Sequence, residues 1–119
     1  MDTIQVKKYH EKLLKRRKEI LGTLNHLEEE NRKIIGQRHF DWLDQAWHEN
    51  EARLLDRLSA GYLRELGGID MALGRILSGT YGLCLACHQS IEKARLDTFP
   101  DTEFCLGCQE TRERFEKAA

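Results

Sequence analysis

Four cysteines in two C-x-x-C pairs carry the clearest chemical signal in this sequence. Cys84 and Cys87 form the first pair, Cys105 and Cys108 form the second, and seventeen residues separate the pairs. A tetrahedral zinc ion takes four thiolates, and each C-x-x-C turn can present two of them to the same ion. The spacing therefore predicts one zinc ion per chain, bound by all four cysteines in a closed structural site with no open position for catalysis.

Two other kinds of chemistry compete for the first pair. Residues 84–88 also read C-x-x-C-H, the attachment signature of a c-type haem, and a redox dithiol is the second alternative. Zinc is favoured because the spacing of both pairs fits one tetrahedral site, whereas a haem normally requires an exported chain and would leave the second pair without a role. His88 is then a polar residue that finishes the turn, in preference to a fifth ligand. Gly82 and Gly107 are expected to supply the small residues that tight turns need.

Length, charge and composition bound the class of protein. The chain has 119 residues and a net charge of −1, which fits a single domain, or a small domain with an extended element, and does not point to nucleic acid. The first twelve residues contain no apolar run of the kind found in a signal peptide, and no stretch approaches the ~18 apolar residues of a membrane span. We therefore expect a cytoplasmic protein, with no membrane association, whose cysteines stay reduced.

Apolar residues recur every three or four positions along most of the first two thirds of the chain, as in a heptad seam. The first row is Val6, His10, Leu13, Arg17, Ile20, Leu24, Leu27, Asn31 and Ile34. The second row is Leu55, Leu58, Tyr62, Glu65, Ile69, Ala72 and Ile76. These rows predict two helices, at about residues 3 to 37 and 45 to 78, each spanning ~50 Å.

Two long helices joined by a short polar turn predict a mainly α fold. We expect a long antiparallel coiled-coil hairpin over residues 1–78, with its tip at about residues 38–46. Residues 79–119 are expected to form a small four-cysteine zinc-finger head and a short C-terminal helix. This head has few apolar residues of its own, so metal binding must supply much of its folding free energy.

Several polar or small residues interrupt the helical pattern. Arg17 and Asn31 lie in the seam and are candidates for setting the register of the two helices, although Asn31 could equally mark a local irregularity near the tip. Gly67 and Gly68 are adjacent in the second helix, as a hinge or as a place where another segment approaches closely. Seven Lys and Arg residues between positions 7 and 18 spread around the first helix, which favours a solvated face over a nucleic-acid stripe.

The turn between the helices carries two carboxylates, Asp41 and Asp44. Asp41 could be the N-cap of the second helix and Asp44 its N3 residue, where negative charge favours the positive end of the helix. The alternative is that the hairpin delivers these charges to a partner. The residues alone leave both interpretations open, and one aspartate can serve both purposes.

The tip and the cysteine region together resemble the DksA/TraR family of transcription factors. Residues 41–46 fit the pattern D-x-x-D-x-A, and residues 76–84, Arg95-Leu96, Pro100 and the second cysteine pair are similar to the family's zinc-finger signature. The resemblance covers about residues 5 to 115. The tip pattern is weak alone, but tip and finger separated by a stalk of suitable length are a specific combination.

The resemblance implies a protein that binds bacterial RNA polymerase and reads no DNA sequence. The residues offer no nucleophile–base pair, phosphate loop or open metal site, so we expect no enzymatic activity, and we expect a monomer. The hairpin would enter the secondary channel of the polymerase, where Asp41, Asp44 and Ala46 would act as tip effector residues on promoter-complex stability. The best-known type of member cooperates with the alarmone ppGpp through basic residues near the base of the stalk and in the head. The corresponding part of the second helix here is glycine-rich, which puts ppGpp cooperation in doubt.

Two other function classes stay open from the sequence. One is a zinc-stabilised coiled-coil adaptor for a different protein. The other is a Gre-like factor that stimulates transcript cleavage by bringing a second metal ion with its tip carboxylates. The Gre factors share the hairpin but lack this zinc finger, so the polymerase-binding regulator is favoured over both.

Overall fold

Helices account for most of the structure. The computed structural model describes residues 1–36 and 42–118, with side chains at residues 1–33 and 53–117. Its helices are α1 Thr3–Gly36, α2 Trp42–Ser78, α3 Lys93–Thr98 and α4 Leu106–Ala118. The described ranges contain no β-strand, only an isolated antiparallel bridge between Leu83 and Ser90. The predicted mainly α fold is confirmed, and none of the helices in those ranges is long and apolar enough to cross a membrane.

The ends of the helices differ from the predictions in two places. α2 begins at Trp42, three residues before the predicted start at about residue 45, because apolar periodicity does not fix a helix boundary. α3 was not predicted, since its six residues are too few for a helical period to be visible. α4 confirms the predicted C-terminal helix.

The chain divides into two compact units. The metal-bearing unit comprises Met1–Lys15 and Gly68–Ala119, and the hairpin unit comprises Arg16–Gly67. Both long helices contribute to each unit. The predicted division at residue 78, into hairpin and zinc-finger head, stays a prediction.

The border in α2 falls between the adjacent glycines Gly67 and Gly68, and α2 runs through both as one helix. A Cβ atom added at Gly68 would lie 3.2 Å from a carboxylate oxygen of Asp101, whereas one added at Gly67 would meet nothing within 4 Å. Gly68 therefore permits a close approach inside the metal-bearing unit, which is one of the two roles expected for the pair.

In the hairpin unit, α1 and α2 pack antiparallel along the predicted seam. Ile20 is fully buried there, and Leu24, Leu27 and Leu55 are half-buried. Leu58 is 45% exposed, so its predicted place in the seam is wrong. A groove between the two helices has a volume of about 450 Å³; its lining includes Leu21, Leu24, Leu27, Leu55, Leu63 and Asn31. Two helices alone bury only a narrow stripe, so these leucines keep part of their surface in contact with water.

A bidentate ion pair fixes the register of the hairpin unit. Arg16 donates from Nε to Oε1 of Glu65 at 2.6 Å and from Nη2 to Oε2 at 2.9 Å. A planar guanidinium can make this fork only at one relative position of the helices. A register role for Arg17 and Asn31 stays a prediction. The ion pair shows that Arg16, one residue outside the predicted row, contributes to the register.

The core of the metal-bearing unit brings together residues that are far apart in the chain. It contains Tyr9, Leu13, Ile69, Ala72, Tyr81, Ile91 and Leu96, all buried. The rings of Tyr9 and Tyr81 lie 5.8 Å apart between centroids, at an angle of 45°. Their hydroxyl groups donate outwards, from Tyr9 to Asp97 at 2.6 Å and from Tyr81 to the carbonyl oxygen of Pro100 at 2.7 Å.

Part of the basic cluster of α1 turns inward to this unit. Lys12 donates to the carbonyl oxygen of Asp97 at 3.0 Å, and Lys8 lies 3.5 Å from the Asp97 carboxylate. Arg16 is engaged with Glu65 in the hairpin unit. These intramolecular contacts support the expectation that the cluster does not form a nucleic-acid stripe.

Residues 82–91 form a tight hairpin with two residues in the left-handed region. Gly82 has a φ of +86°, so the backbone there favours glycine, and a Cβ would also require the flexible end of the Met1 side chain, 2.5 Å away, to move. His88 has a φ of +61°, which is unfavourable for a residue with a Cβ atom. The turn places residue 88 in the left-handed region, and the strain arises because this sequence has histidine there instead of glycine.

The Arg16–Glu65 pair makes a pH-dependent contribution to stability. The hydrogen bond from Arg16 lowers the pKa of Glu65, against the effect of desolvation. Both side chains are more than a third exposed, so we expect Glu65→Gln to destabilise the protein by only about 0.5–1 kcal/mol at pH 7.

Because the folded-state pKa is the lower one, this difference is present above the unfolded pKa of about 4.5 and disappears as the pH falls through the folded value. Urea unfolding of both proteins at pH 7 and pH 3 measures it. Glu28→Gln, at an exposed i,i+4 pair, is the matched control. A Glu65→Gln penalty that is equally large at pH 3 would contradict the ion-pair explanation.

Replacing His88 by glycine should stabilise the metal-bearing unit. Glycine removes a left-handed cost of about 1–2 kcal/mol and loses part of it to unfolded-state entropy, which leaves a gain of about 0.5–1 kcal/mol. Thermal unfolding of zinc-loaded protein measures the change. His88→Ala, which keeps the Cβ atom, should give no gain, and a glycine variant that is less stable than the alanine variant would refute the strain.

Candidate metal centre

The first cysteine pair lies on the hairpin of residues 82–91. The backbone N–H of Cys84 donates to the carbonyl oxygen of Gln89 at 2.8 Å, and the N–H of His88 donates to that of Cys84 at 3.0 Å. The N–H of Ile91 closes the hairpin on the carbonyl oxygen of Gly82 at 2.8 Å. Backbone hydrogen bonds therefore fold this turn, as the C-x-x-C spacing predicts.

The second pair lies at the start of α4. Cys105 precedes the helix, Cys108 is in its first turn, and the N–H of Gln109 donates to the carbonyl oxygen of Cys105 at 2.9 Å. The positive end of a helix favours thiolates at this place. Gly107 is an ordinary helical residue with open space around it, so the prediction that a tight turn requires glycine there is wrong.

All four cysteine sulfurs converge. Their Sγ atoms lie within 4.8 Å of one another, and those of Cys87 and Cys105 are 3.8 Å apart. A tetrahedral zinc site with Zn–S bonds of about 2.3 Å has sulfur–sulfur edges of about 3.8 Å. All four cysteines are free, since no disulfide joins them. The donor set and the spacing fit one zinc ion, and His88 is not part of this group.

The charges of the four thiols depend on one another. Burial opposes ionisation of Cys84, but backbone N–H groups of the two C-x-x-C turns outweigh it and lower the pKa of Cys84 to about 6. Hydrogen bonds to the other three sulfurs, that of Cys105 first, raise the pKa of Cys108 to about 12. Four thiolates this close need a cation between them, so metal binding must release protons.

Exposure differs among the four thiols. Cys84 is buried, Cys87 is exposed, and Cys105 and Cys108 are intermediate. The site therefore has one side open to solvent and one side packed against the unit's core.

The side chains of the predicted tip residues are not among those that the structure describes. Asp41 lies outside the described residues. Asp44 and Ala46 lie near the start of α2, but their side chains are outside the described ones. Their assignment as effector residues stays a prediction.

Sequence reasoning missed the residues that support the metal centre. Tyr9 is four positions before Leu13 and seven before Arg16, so it lies beside the predicted seam, and helical spacing could have indicated its burial. Its partner Asp97 is 88 residues away along the chain, and nothing local indicates that pairing.

Two family sequence profiles match this chain. The prokaryotic dksA/traR C4-type zinc finger matches residues 79–114. The DnaK suppressor protein-like N-terminal domain matches residues 9–76. The first match includes all four cysteines, and the second includes most of both long helices.

Similar proteins cover nearly the whole chain. An uncharacterized protein of Aquifex aeolicus is 36% identical over 113 residues, which are 92% of this chain and 77% of that protein. The RNA polymerase-binding transcription factor DksA of Caulobacter vibrioides is 31% identical over 121 aligned positions, which cover 98% of this chain and 82% of that protein.

A solved structure agrees with this. Transcription factor DksA2 from Pseudomonas aeruginosa superposes with a TM-score of 0.88 at 29% identity, over 98% of this chain and 89% of that one. The convergence of the cysteines, the two profile matches and the relatives lead to one conclusion: the chain belongs to the DksA/TraR family and carries a C4-type zinc finger suited to binding one zinc ion.

Proposed function

We propose that this chain is a bacterial transcription regulator that binds RNA polymerase directly. One observation carries the proposal: a relative named for polymerase binding aligns with 98% of this chain, including both the helices and the zinc finger. Both the long helices and the zinc finger are present in this chain. The regulator acts in the cytoplasm as a monomer and catalyses no reaction of its own.

The proposed mechanism uses the connection between α1 and α2. This part of the hairpin enters the secondary channel of the polymerase, and Asp41, Asp44 and Ala46 act there on the stability of promoter complexes. The helices α1 and α2, of 34 and 37 residues, are each ~50 Å long, which supports delivery of a tip to a distant site. The effect is electrostatic and needs no contact with DNA sequence.

Zinc has a structural role in this proposal. Cys84, Cys87, Cys105 and Cys108 are its four ligands, and together they close the coordination sphere. The ion supplies folding free energy to the metal-bearing unit. No ligand position is left for water, so the site adds stability and not catalysis.

Alarmone cooperation is not part of the proposal. Gly68, in the region where the family resemblance calls for basic residues, faces the carboxylate of Asp101. A glycine supplies no cation to a phosphate-rich ligand, so no cooperation with ppGpp is proposed.

Zinc removal should unfold part of the protein. We expect one zinc per chain by elemental analysis of anaerobically purified protein, and we expect a strong chelator to raise hydrogen exchange in residues 80–115 while the long helices persist by circular dichroism. That segment has few apolar residues of its own, so the metal supplies much of its folding free energy. Covalent haem, or the absence of zinc, would rule the assignment out.

Neutralising the tip should separate binding from effect. Asn is about as good an N-cap as Asp, so the double variant Asp41→Asn, Asp44→Asn should keep its fold, losing at most ~1 kcal/mol of helix-dipole interaction. We expect it to bind core RNA polymerase as the unchanged protein does, yet to lose its effect on promoter-complex lifetime.

The matched control neutralises two carboxylates elsewhere on α1, with Glu28→Gln and Glu29→Gln, and should retain the effect. A fully active tip variant would leave capping as the only role of the two aspartates. Failure of the unchanged protein to bind polymerase in a pull-down would favour the adaptor, and stimulation of transcript cleavage would favour the Gre-like function.

A further inference from the structure

Cys105 is held on both sides by side chains from one short segment. The carbonyl oxygen of Phe104, the residue before it, accepts a hydrogen bond from Nε of Arg95 at 2.9 Å. The N–H of Leu106, the residue after it, donates to Oε2 of Glu92 at 3.3 Å. Glu92 directly precedes α3 and Arg95 lies within it, so the segment of residues 92–98 holds the backbone around a zinc ligand.

Phe104 has two further contacts. The hydroxyl of Thr102 donates to its carbonyl oxygen at 3.2 Å. The guanidinium of Arg112, in α4, lies 4.3 Å from the centroid of its ring. Backbone and side chain of the residue before Cys105 are therefore both fixed.

The two cysteine pairs are held in different ways. Backbone hydrogen bonds of the hairpin itself hold the turn at Cys84 and Cys87. Around Cys105, the backbone N–H groups of Gln109 and Leu85 donate to the carbonyl oxygens of Cys105 and Glu103, both at 2.9 Å. The residues directly before and after Cys105 are supported in addition by the side chains of Arg95 and Glu92. Single substitutions can remove this side-chain support but not the backbone hydrogen bonds.

The other end of α3 is attached to α1. Asp97 accepts hydrogen bonds from the Tyr9 hydroxyl at 2.6 Å and, through its carbonyl oxygen, from Lys12 at 3.0 Å. Leu96, between Arg95 and Asp97 in α3, is only 1% exposed. Within the metal-bearing unit, α3 thus connects the first turns of α1 to the loop that carries Cys105.

We propose that Glu92 and Arg95 are positioning residues of the zinc site that hold Cys105 in place, and that α3 links this support to the packing of Tyr9 in α1. Neither side chain is a ligand. Each side chain restricts the motion of Cys105 before the metal binds. After one Zn–S bond has broken, the same restriction favours re-formation of that bond over release of the ion. Partners of this outer kind change metal affinity by about 10- to 100-fold in other metal sites.

The test measures zinc release from the full-length, zinc-loaded protein. Mixing with excess 4-(2-pyridylazo)resorcinol gives the release rate from the absorbance of the zinc–dye complex. Glu92→Ala and Arg95→Ala should each release zinc about 10-fold faster than the unchanged protein. Glu92→Gln keeps a carbonyl acceptor for the Leu106 N–H and should restore most of the difference.

Lys93→Ala, an exposed position between the two, is the matched control and should release zinc at the unchanged rate. Replacing Zn²⁺ by Co²⁺ gives an absorption spectrum that reports the geometry of the four sulfurs and does not depend on global stability. Glu92→Ala and Arg95→Ala should alter its ligand-field bands, whereas Lys93→Ala should not. Unchanged release rates and spectra in both alanine variants would overturn the proposal. So would a Glu92→Gln variant as fast as Glu92→Ala.

The link to α1 has its own test. Tyr9→Phe removes one hydroxyl and leaves the buried ring, so the unit should still fold. Loss of the bond to Asp97 should speed zinc release about fivefold, although Tyr9 belongs to no cysteine turn. An unchanged rate would show that α3 does not transmit the packing of α1. None of these measurements involves polymerase, so their outcome is independent of the proposed function.

Discussion

The metal-bearing unit depends on one electrostatic constraint: four cysteine sulfurs lie within 4.8 Å of one another. Four thiolates at this distance repel one another, and without a metal ion the sulfurs share protons in hydrogen bonds, which raise the pKa of Cys108. A divalent cation turns the repulsion into attraction and ties the hairpin of residues 82–91 to the start of α4. Because these loops bury few side chains, the cation is what makes their arrangement stable.

The apolar core of the same unit comes largely from the long helices. Tyr9, Leu13, Ile69 and Ala72 lie in α1 and α2, and they pack with Tyr81, Ile91 and Leu96 of the zinc-finger region. Metal and core are therefore complementary sources of stability. Helix α3 connects the core to the metal site. It contacts the core through Leu96, α1 through the hydrogen bonds of Asp97 with Tyr9 and Lys12, and the loop that carries Cys105 through Arg95.

The hairpin unit follows a different principle. Its seam is narrow and half-buried, which is all that two helices can achieve, and the Arg16–Glu65 fork supplies the register that a wider core would impose. Exposed leucines such as Leu58 and Leu63 are the consequence. Such a pair of helices suits the display of a tip better than the enclosure of a ligand.

The sequence by itself determined the features that depend on local spacing. The C-x-x-C turns and the two long helices follow from neighbouring residues, because backbone geometry links positions two to four apart. The resemblance to the family rested on the same local motifs.

Only the tertiary structure decided which residues support the zinc ligands and which apolar residues form the core. Tyr9 meets Asp97 across 88 positions, and Glu92 meets Leu106 across fourteen. Of the apolar residues in the zinc-finger region, Ile91 and Leu96 are buried, whereas Phe99 and Leu106 are about half exposed. These outcomes depend on where α3 and α4 pack, which is fixed by contacts between distant segments that leave no periodic trace in the sequence.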